Sequence, residues 1–385
     1  MPMTRFIGWL PRWAAPLIAL LALVACTVIL EFATKGNSAF LSGQNLFNIL
    51  RQWSFVGIIA VGMTFVIVLG GIDLSVGSLV GFVGGLGVLT LNSINTAPAT
   101  SAAASVASEA IAAGRAAPHG SPPGFETTIA GIWNALGVGG NETAAVLIAI
   151  ALMLIAGTLA GLLNGTLIAK GRLAPFIATL GGLAAYRSLA LAMADGGEYR
   201  SSSMSMFGIL GQGGIPIPFT NVAPRAPQPV PLLFPWPVVV FIVVALLGWV
   251  LLNRTRYGRY VTAIGCNERA AVYSAISVDR IKILTYTLIG FLSGLAALLL
   301  ASRMNSVSSA QTGQLYELDV IAAVVIGGTR MRGGSGTIVG TVIGVLILGV
   351  IGNMLNLLQV SVYLQGLVKG AIIVAAVLAQ RGERM

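Results

Sequence analysis

The chain has 385 residues, of which 56% are hydrophobic and only 9% charged, and it carries a formal net charge of +10 with a mean hydropathy of +0.90. Soluble domains carry about 25% charged residues, so this composition excludes an ordinary soluble enzyme and points to a polytopic membrane protein. The basic residues are scattered between apolar runs without a nucleic-acid-reading motif, which excludes a nucleic-acid partner and fits positive loops on the cytoplasmic face of a membrane.

From the N-terminus, Arg5 and Arg12 precede an apolar run at 14–30, and Leu23-Val24-Ala25-Cys26 resembles a lipoprotein cleavage box. The run stays largely apolar through Thr27, Val28, Ile29 and Leu30, so an uncleaved first helix is expected. Further runs follow at 46–69, 74–91, 144–168, 174–194, 236–252, 283–302, 337–358 and 364–379. Most approach the roughly 20 residues that cross a bilayer. A tenth stretch, 319–328, is too short to span without its flanks. The fold expected is therefore all-α: one polytopic transmembrane helical bundle over residues 1–385, with about 10 membrane-spanning helices, one of them short or broken.

With ten crossings and a cytoplasmic N-terminus, fourteen of the 22 Lys and Arg fall inside, and both termini are cytoplasmic. Segments 92–141 and 195–235 then lie outside as periplasmic loops, and 253–282 is the longest cytoplasmic loop. Residues 97–124, rich in Ala, Ser, Pro and Gly, read as flexible, and 125–136 as an interfacial helix. The Pro-rich tract 224–237 cannot continue a helix. Cys26 lies in an apolar run and Cys266 in a basic loop, so two free thiols are expected.

Glycines recur every fourth residue at Gly77, Gly81 and Gly85, at Gly157, Gly161 and Gly165, and at Gly336, Gly340 and Gly344. Gly290 and Gly294 form a shorter version. Each set leaves one helix face smooth, which suits close packing in lipid and also suits sliding between access states.

Four ordered blocks carry a resemblance. They are Gly71-Ile72-Asp73-Leu74-Ser75-Val76-Gly77-Ser78, then Leu173-Ala174-Pro175-Phe176-Ile177-Ala178-Thr179-Leu180-Gly181, then Ala263-Ile264-Gly265 through Ile276, and Tyr316-Glu317-Leu318-Asp319 through Thr329. From about residue 41 the chain resembles the permeases of bacterial ABC importers for ribose, xylose and related monosaccharides. Its long outer segments resemble the xylose type more than the ribose type. The resemblance implies a non-catalytic translocation subunit in the bacterial inner membrane. Its implied partners are a cytoplasmic ABC ATPase that binds ATP and Mg, a periplasmic sugar-binding protein, and a second permease subunit, as a homodimer. Ala275 stands where the family usually has Gly, and Arg330-Met331-Arg332 replaces a Ser-Leu-containing turn.

The cytoplasmic loop is where such a subunit receives force from its ATPase. Asn267 is a good N-cap, and Glu268, Arg269, Ala270, Ala271, Val272 and Tyr273 favour helix. The small residues Ala270, Ala271 and Ser274 would let a short helix seat in a cleft. The resemblance makes 267–276 the coupling segment, with Gly258, Asn267, Glu268, Ala270, Ala271, Ser274 and Ile276 as its residues. No Gly-x-x-x-x-Gly-Lys-Ser/Thr occurs, so no cofactor is expected on this chain.

A neutral sugar needs hydrogen-bonding groups along its path rather than buried charge. Asn48, Gln52, Thr64, Tyr186, Asn305, Asn353 and Asn356 are the pathway candidates, with Gln359 and Gln365 beside them. Among the charges within spans, Arg51 and Arg187 lie near outer ends and are expected to snorkel. Lys369 lies deeper, and Asp73 is placed to cap the third helix. The alternative reading is a proton-coupled secondary transporter of a small polar solute, with Asp73 or Asp319 as carrier. An intramembrane enzyme is disfavoured, because the single histidine, His119, lies in a polar outer loop and no metal-ligand cluster accompanies it.

Overall fold

The computed structural model describes residues 14–35, 40–112, 124–194, 196–202, 206–222, 230–361, 364–368 and 370–371. Helix α1 (Ala14–Lys35) runs unbroken through Cys26. Its Glu31 carboxylate accepts the Phe40 N–H at 2.9 Å, tying its end to the entry of α2 (Gly43–Leu69). There the Ser42 hydroxyl caps the first turn by accepting the Asn45 N–H at 3.3 Å, and the helix stops at Gly70. From Trp53 onward α2 is buried, so it is the central pillar of the bundle.

The chain continues through α3 (Val76–Ala112), α4 (Gly124–Ala135), α5 (Glu142–Ala169) and α6 (Pro175–Met193). A cap follows, made of β1 (Glu198–Arg200), α7 (Met206–Gln212), β2 (Gly214–Val222) and β3 (Val230–Pro235). Next come α8 (Trp236–Arg254), α9 (Arg256–Cys266), α10 (Glu268–Tyr273), α11 (Val278–Met304), β4 (Ser306–Ser308), α12 (Tyr316–Ile326) and α13 (Ile338–Leu357). Strands β2 and β3 form an antiparallel hairpin, and β1 pairs antiparallel with β4, with Tyr199 opposite Val307.

Among the described residues, eight helices are long and apolar enough to cross a membrane: α1, α2, α3, α5, α6, α8, α11 and α13. The short tenth stretch forms α12, of 11 residues. At 1.5 Å per residue that is about 16 Å, roughly half the hydrocarbon thickness. The run 364–379, with Lys369, lies mostly outside the described residues.

One local expectation is overturned. Residues 97–112 are not a flexible loop but the continuation of α3, because alanine is the strongest helix former and dominates there. Pro98 sits inside that helix and cannot donate to the Ile94 carbonyl. The Gly140 N–H fills the vacancy at 2.8 Å. Helix α4 folds back alongside, with Trp133 Nε1 donating to Ser93 Oγ and Asn134 Nδ2 to the Ala97 carbonyl.

Arg187 also departs from expectation. It does not snorkel; its Nη1 donates to the carbonyls of Ser309 at 2.9 Å, Ala310 at 3.2 Å and Thr312 at 3.1 Å, clamping the loop between β4 and α12. Asp73 does not itself cap α3; its Oδ1 accepts the Ser75 N–H at 2.8 Å and the Ser75 hydroxyl at 2.7 Å, fixing Ser75, whose carbonyl accepts the Leu79 N–H at the start of the helix. Asn164 of α5 donates to the same hydroxyl at 3.0 Å.

The glycine sets meet different surfaces. Gly157 and Gly161 of α5 face Gly290 and Gly294 of α11 so closely that a Cβ on Gly157 would lie 2.6 Å from the Gly290 carbonyl oxygen. Gly336 packs on Thr329, and Gly340 on the backbone of Gly327 after α12. Gly77 faces the Glu317 carboxylate at the start of α12 and the Gly313 carbonyl, and Gly81 faces the Thr312 carbonyl and the Arg187 guanidinium of α6.

Candidate functional site

The structure gathers candidate functional residues at opposite ends of α2. At its start, Asn48, Ile49, Gln52 and Trp53 join Gly349, Gly352, Asn353 and Asn356 of α13, with Gln365, around a cavity of about 90 Å³. Taking ~15 Å³ per water centre, it has room for about six waters. Its walls are mostly amides because α2 and α13 each turn a polar stripe toward the other. Asn353 and Asn45 exchange hydrogen bonds at 2.8 and 3.1 Å, and Gln365 donates to Asn356 at 2.9 Å. Asn48 and Gln52 are exposed and make no side-chain hydrogen bond among the described residues, so their amides are open to a ligand.

Three pathway candidates lie elsewhere. Thr64 is sealed in the core, sharing a 2.7 Å hydrogen bond with Thr341 between α2 and α13. Tyr186 is buried against Phe82, with ring centroids 6.0 Å apart. Asn305, at φ 49, ends α11, and its carbonyl accepts the Ser201 N–H at 2.8 Å. Their surroundings are those of packing and turn residues, and a polar side chain within an apolar run signals either role equally.

At the other end, the last turn of α2 meets α9, α10 and the start of α11. Val68, Leu69, Val261, Ile264, Ala271, Val278 and Ile281 form a second small core there. The turn after α12 is wedged in: Gly334 donates its N–H to the Val68 carbonyl at 2.8 Å, while the Cys266 thiol reaches the Gly334 carbonyl at 3.5 Å. Gly334 has φ 71 and faces the Cys266 sulfur, so a side chain there would be both strained and crowded. Both cysteines are free thiols. Tyr257 of α9 bonds to Thr285 at 2.9 Å, and burial pushes its phenol up to about 12, so it stays neutral at physiological pH.

Helix α10 is built by the residues expected for it. Asn267 Oδ1 accepts the Ala270 N–H at 3.1 Å. Glu268 pairs with Lys282 at 2.7 Å, an exposed bridge that contributes little to stability. Gly258 is buried in α9 against the carbonyls ending α8. At the C-terminus Ser274 caps the helix, Ala275 N–H bonds to Val272 O at 3.0 Å and Ile276 N–H to Ala271 O at 3.1 Å, a Schellman arrangement. It requires a left-handed residue, and Ala275 adopts φ 58. Ala275→Gly is therefore expected to stabilise the protein by about 1 kcal/mol, read as a raised unfolding midpoint in detergent.

One expectation about this helix fails. Ala271 is only 4% exposed and faces the small core beneath it, so it cannot line a surface that seats in a partner's cleft. The outward face presents Ala270 and Ser274, exposed as expected, together with Val272, 56% exposed, and Tyr273, 91% exposed. Sequence reading missed the latter two because an apolar residue in a short helix ordinarily faces inward.

The chain matches the family described as the branched-chain amino acid transport system permease component over residues 45–377. It is 38% identical over 370 residues to the ribose import permease protein RbsC of Bacillus subtilis (strain 168), covering 95% of this chain and 92% of that one. It is 37% identical over 367 residues to RbsC of Escherichia coli (strain K12), covering 94% of each. It is 35% identical over 379 residues to the xylose transport system permease protein XylH of Haemophilus influenzae (strain ATCC 51907 / DSM 11121 / KW20 / Rd), covering 92% of this chain and 94% of that one. The ribose permeases match at least as well as the xylose ones, so the long outer segments do not assign the chain to the xylose type; such segments tolerate insertion. No solved structure matches. A polytopic helical bundle with this coverage by sugar permeases belongs to the transport-system permease-component family.

Proposed function

We propose that the chain is the translocation subunit of an ATP-driven importer of a monosaccharide, a pentose or hexose, in the bacterial inner membrane. The observation that carries this is coverage: ribose and xylose permeases align with 92–95% of the chain, which spans both the amide-lined cavity and the α9–α10 knob. In this reading a cytoplasmic ATPase binds ATP and Mg and docks on α10, and both termini are cytoplasmic. A periplasmic binding protein delivers sugar to the opposite end, where the cavity opens. A second copy of the chain completes the pathway. Helices α2 and α11, each 27 residues and about 40 Å long by the 1.5 Å rise, run from the small core under α10 toward the outer end. Movement of the knob therefore has two stiff routes to the sugar site.

The experiment is uptake of labelled ribose and xylose into proteoliposomes holding the chain, its ATPase and its binding protein. Uptake that requires ATP and all three components supports the reading. Uptake by the chain alone, driven by a proton gradient without ATP, would overturn it in favour of a proton-coupled transporter. Within the importer, Asn48→Leu and Gln52→Leu are each expected to lower uptake roughly threefold to tenfold, the effect of one lost hydrogen bond. An unchanged unfolding midpoint would confirm that the loss is local, since neither amide is bonded in the resting fold.

A further inference from the structure

Asn48, Arg51, Gln52 and Phe55 fall at i, i+3, i+4 and i+7 and share one face of α2. Two of the four line the cavity. The other two meet Arg303, from the last turn of α11, whose guanidinium lies over the Phe55 ring, 5.7 Å from its centroid. Arg51, one turn before Phe55 on the same face of α2, thereby lies on the side from which Arg303 approaches. Both stand on helices of membrane length and composition. Among the described residues neither guanidinium donates a hydrogen bond or joins an ion pair, and the Arg51 Nε is buried with no acceptor. Charges within spans are costly and, where they occur, mark pathways and ligand sites. A path for a neutral polyol needs no positive charge, still less two without a carboxylate partner.

We propose that Arg51 and Arg303 form a carboxylate-binding site, and that the solute it takes is a sugar acid, an aldonate or uronate, whose hydroxyls face the neighbouring amides of Asn48 and Gln52. A guanidinium fork matches a carboxylate with two parallel hydrogen bonds, and a second guanidinium supplies the remaining charge. The site lies eight residues inward from the start of α2, roughly 12 Å at 1.5 Å per residue. The β2–β3 hairpin contacts the entry of α2 through Phe234 on Phe47, and α7 covers the end of α11 through Gln212 Nε2 on the Arg303 carbonyl. That depth favours a small solute over a side chain of a docking protein.

The inference rests on the sugar-permease reading for the class of solute, but its test needs no ATP and so fails separately from the uptake experiment. The full chain in lipid nanodiscs is titrated with D-gluconate and, in parallel, with D-glucose, by calorimetry at low salt. Gluconate is expected to bind, and Arg51→Gln and Arg303→Gln are each expected to weaken it at least about tenfold while leaving any glucose signal unchanged. Arg51→Gln is the decisive variant, because that side chain has no bonding partner whose loss would disturb the fold, and a retained unfolding midpoint checks this. Absence of gluconate binding, binding equal to that of glucose, or binding indifferent to Arg51→Gln overturns the proposal. If Arg51→Gln instead weakens only capture of the secreted sugar-binding protein, the carboxylate belongs to that protein and the solute assignment fails.

Discussion

Tyr273→Ala is expected to cut ATP-driven uptake by at least about tenfold while leaving the unfolding midpoint of the isolated chain within experimental error. The side chain is 91% exposed and sits beside Val272 at 56%, so in the isolated chain it packs on almost nothing. A tyrosine buries some 150–250 Å² when covered, and truncating such an anchor at an interface typically removes 2 kcal/mol or more, about thirtyfold in affinity. The two halves of the prediction separate docking from folding. Ala271→Leu, two positions earlier in the same helix, should behave in the opposite way. It forces a larger side chain against Val261, Ile264 and Val278, costing roughly 1–3 kcal/mol of stability, and impairs uptake only through the distorted knob. Binding of the ATPase to nanodisc-embedded variants, measured beside their unfolding midpoints, distinguishes them. Full ATPase binding by Tyr273→Ala would remove α10 as the docking surface.

Much of this was legible in the sequence where a single physical rule decides. Hydropathy located the eight membrane-length helices. The Asn267 cap and the short helix after it follow from capping chemistry, and the place of Ala275 in a turn that favours glycine follows from the family pattern. The extension of α3 beyond Pro98 was not legible, because Pro98 reads as a breaker until Gly140, forty-two residues away, supplies the missing donor. The pathway set divided for a related reason. Asn48, Gln52, Asn353 and Asn356 converge because α2 and α13 happen to face each other there, whereas Thr64 meets Thr341 inside the core. Rotation of one helix against another is set by packing over the whole bundle and leaves no local mark. The same holds for Arg51 and Arg303, which are 252 positions apart and become neighbours only through Phe55.

Gly161→Leu is expected to be the most damaging single substitution in the membrane, lowering stability by about 3 kcal/mol or more and abolishing uptake. In lipid, apolar burial gives helices little reason to associate, so α5 and α11 hold together by backbone proximity and the dispersion contacts it allows. Gly161 faces the Gly290 backbone, where a Cβ would come within 2.9 Å of the Gly290 Cα, and Gly157 repeats the contact one turn away. Backbone cannot give way as a side-chain end can, so an added side chain separates the helices along the seam. That separation reaches function because α11 begins in the small core under α10 and ends at Arg303 beside the cavity-bearing helix. Gly161→Ala distinguishes packing from transmission. It adds one methyl, and a variant that keeps most of its stability but loses coupling between ATP hydrolysis and uptake would mark the α5–α11 seam as a sliding surface. Proportional loss of both would mark it as static packing, and full retention of both in Gly161→Leu would contradict the close approach itself.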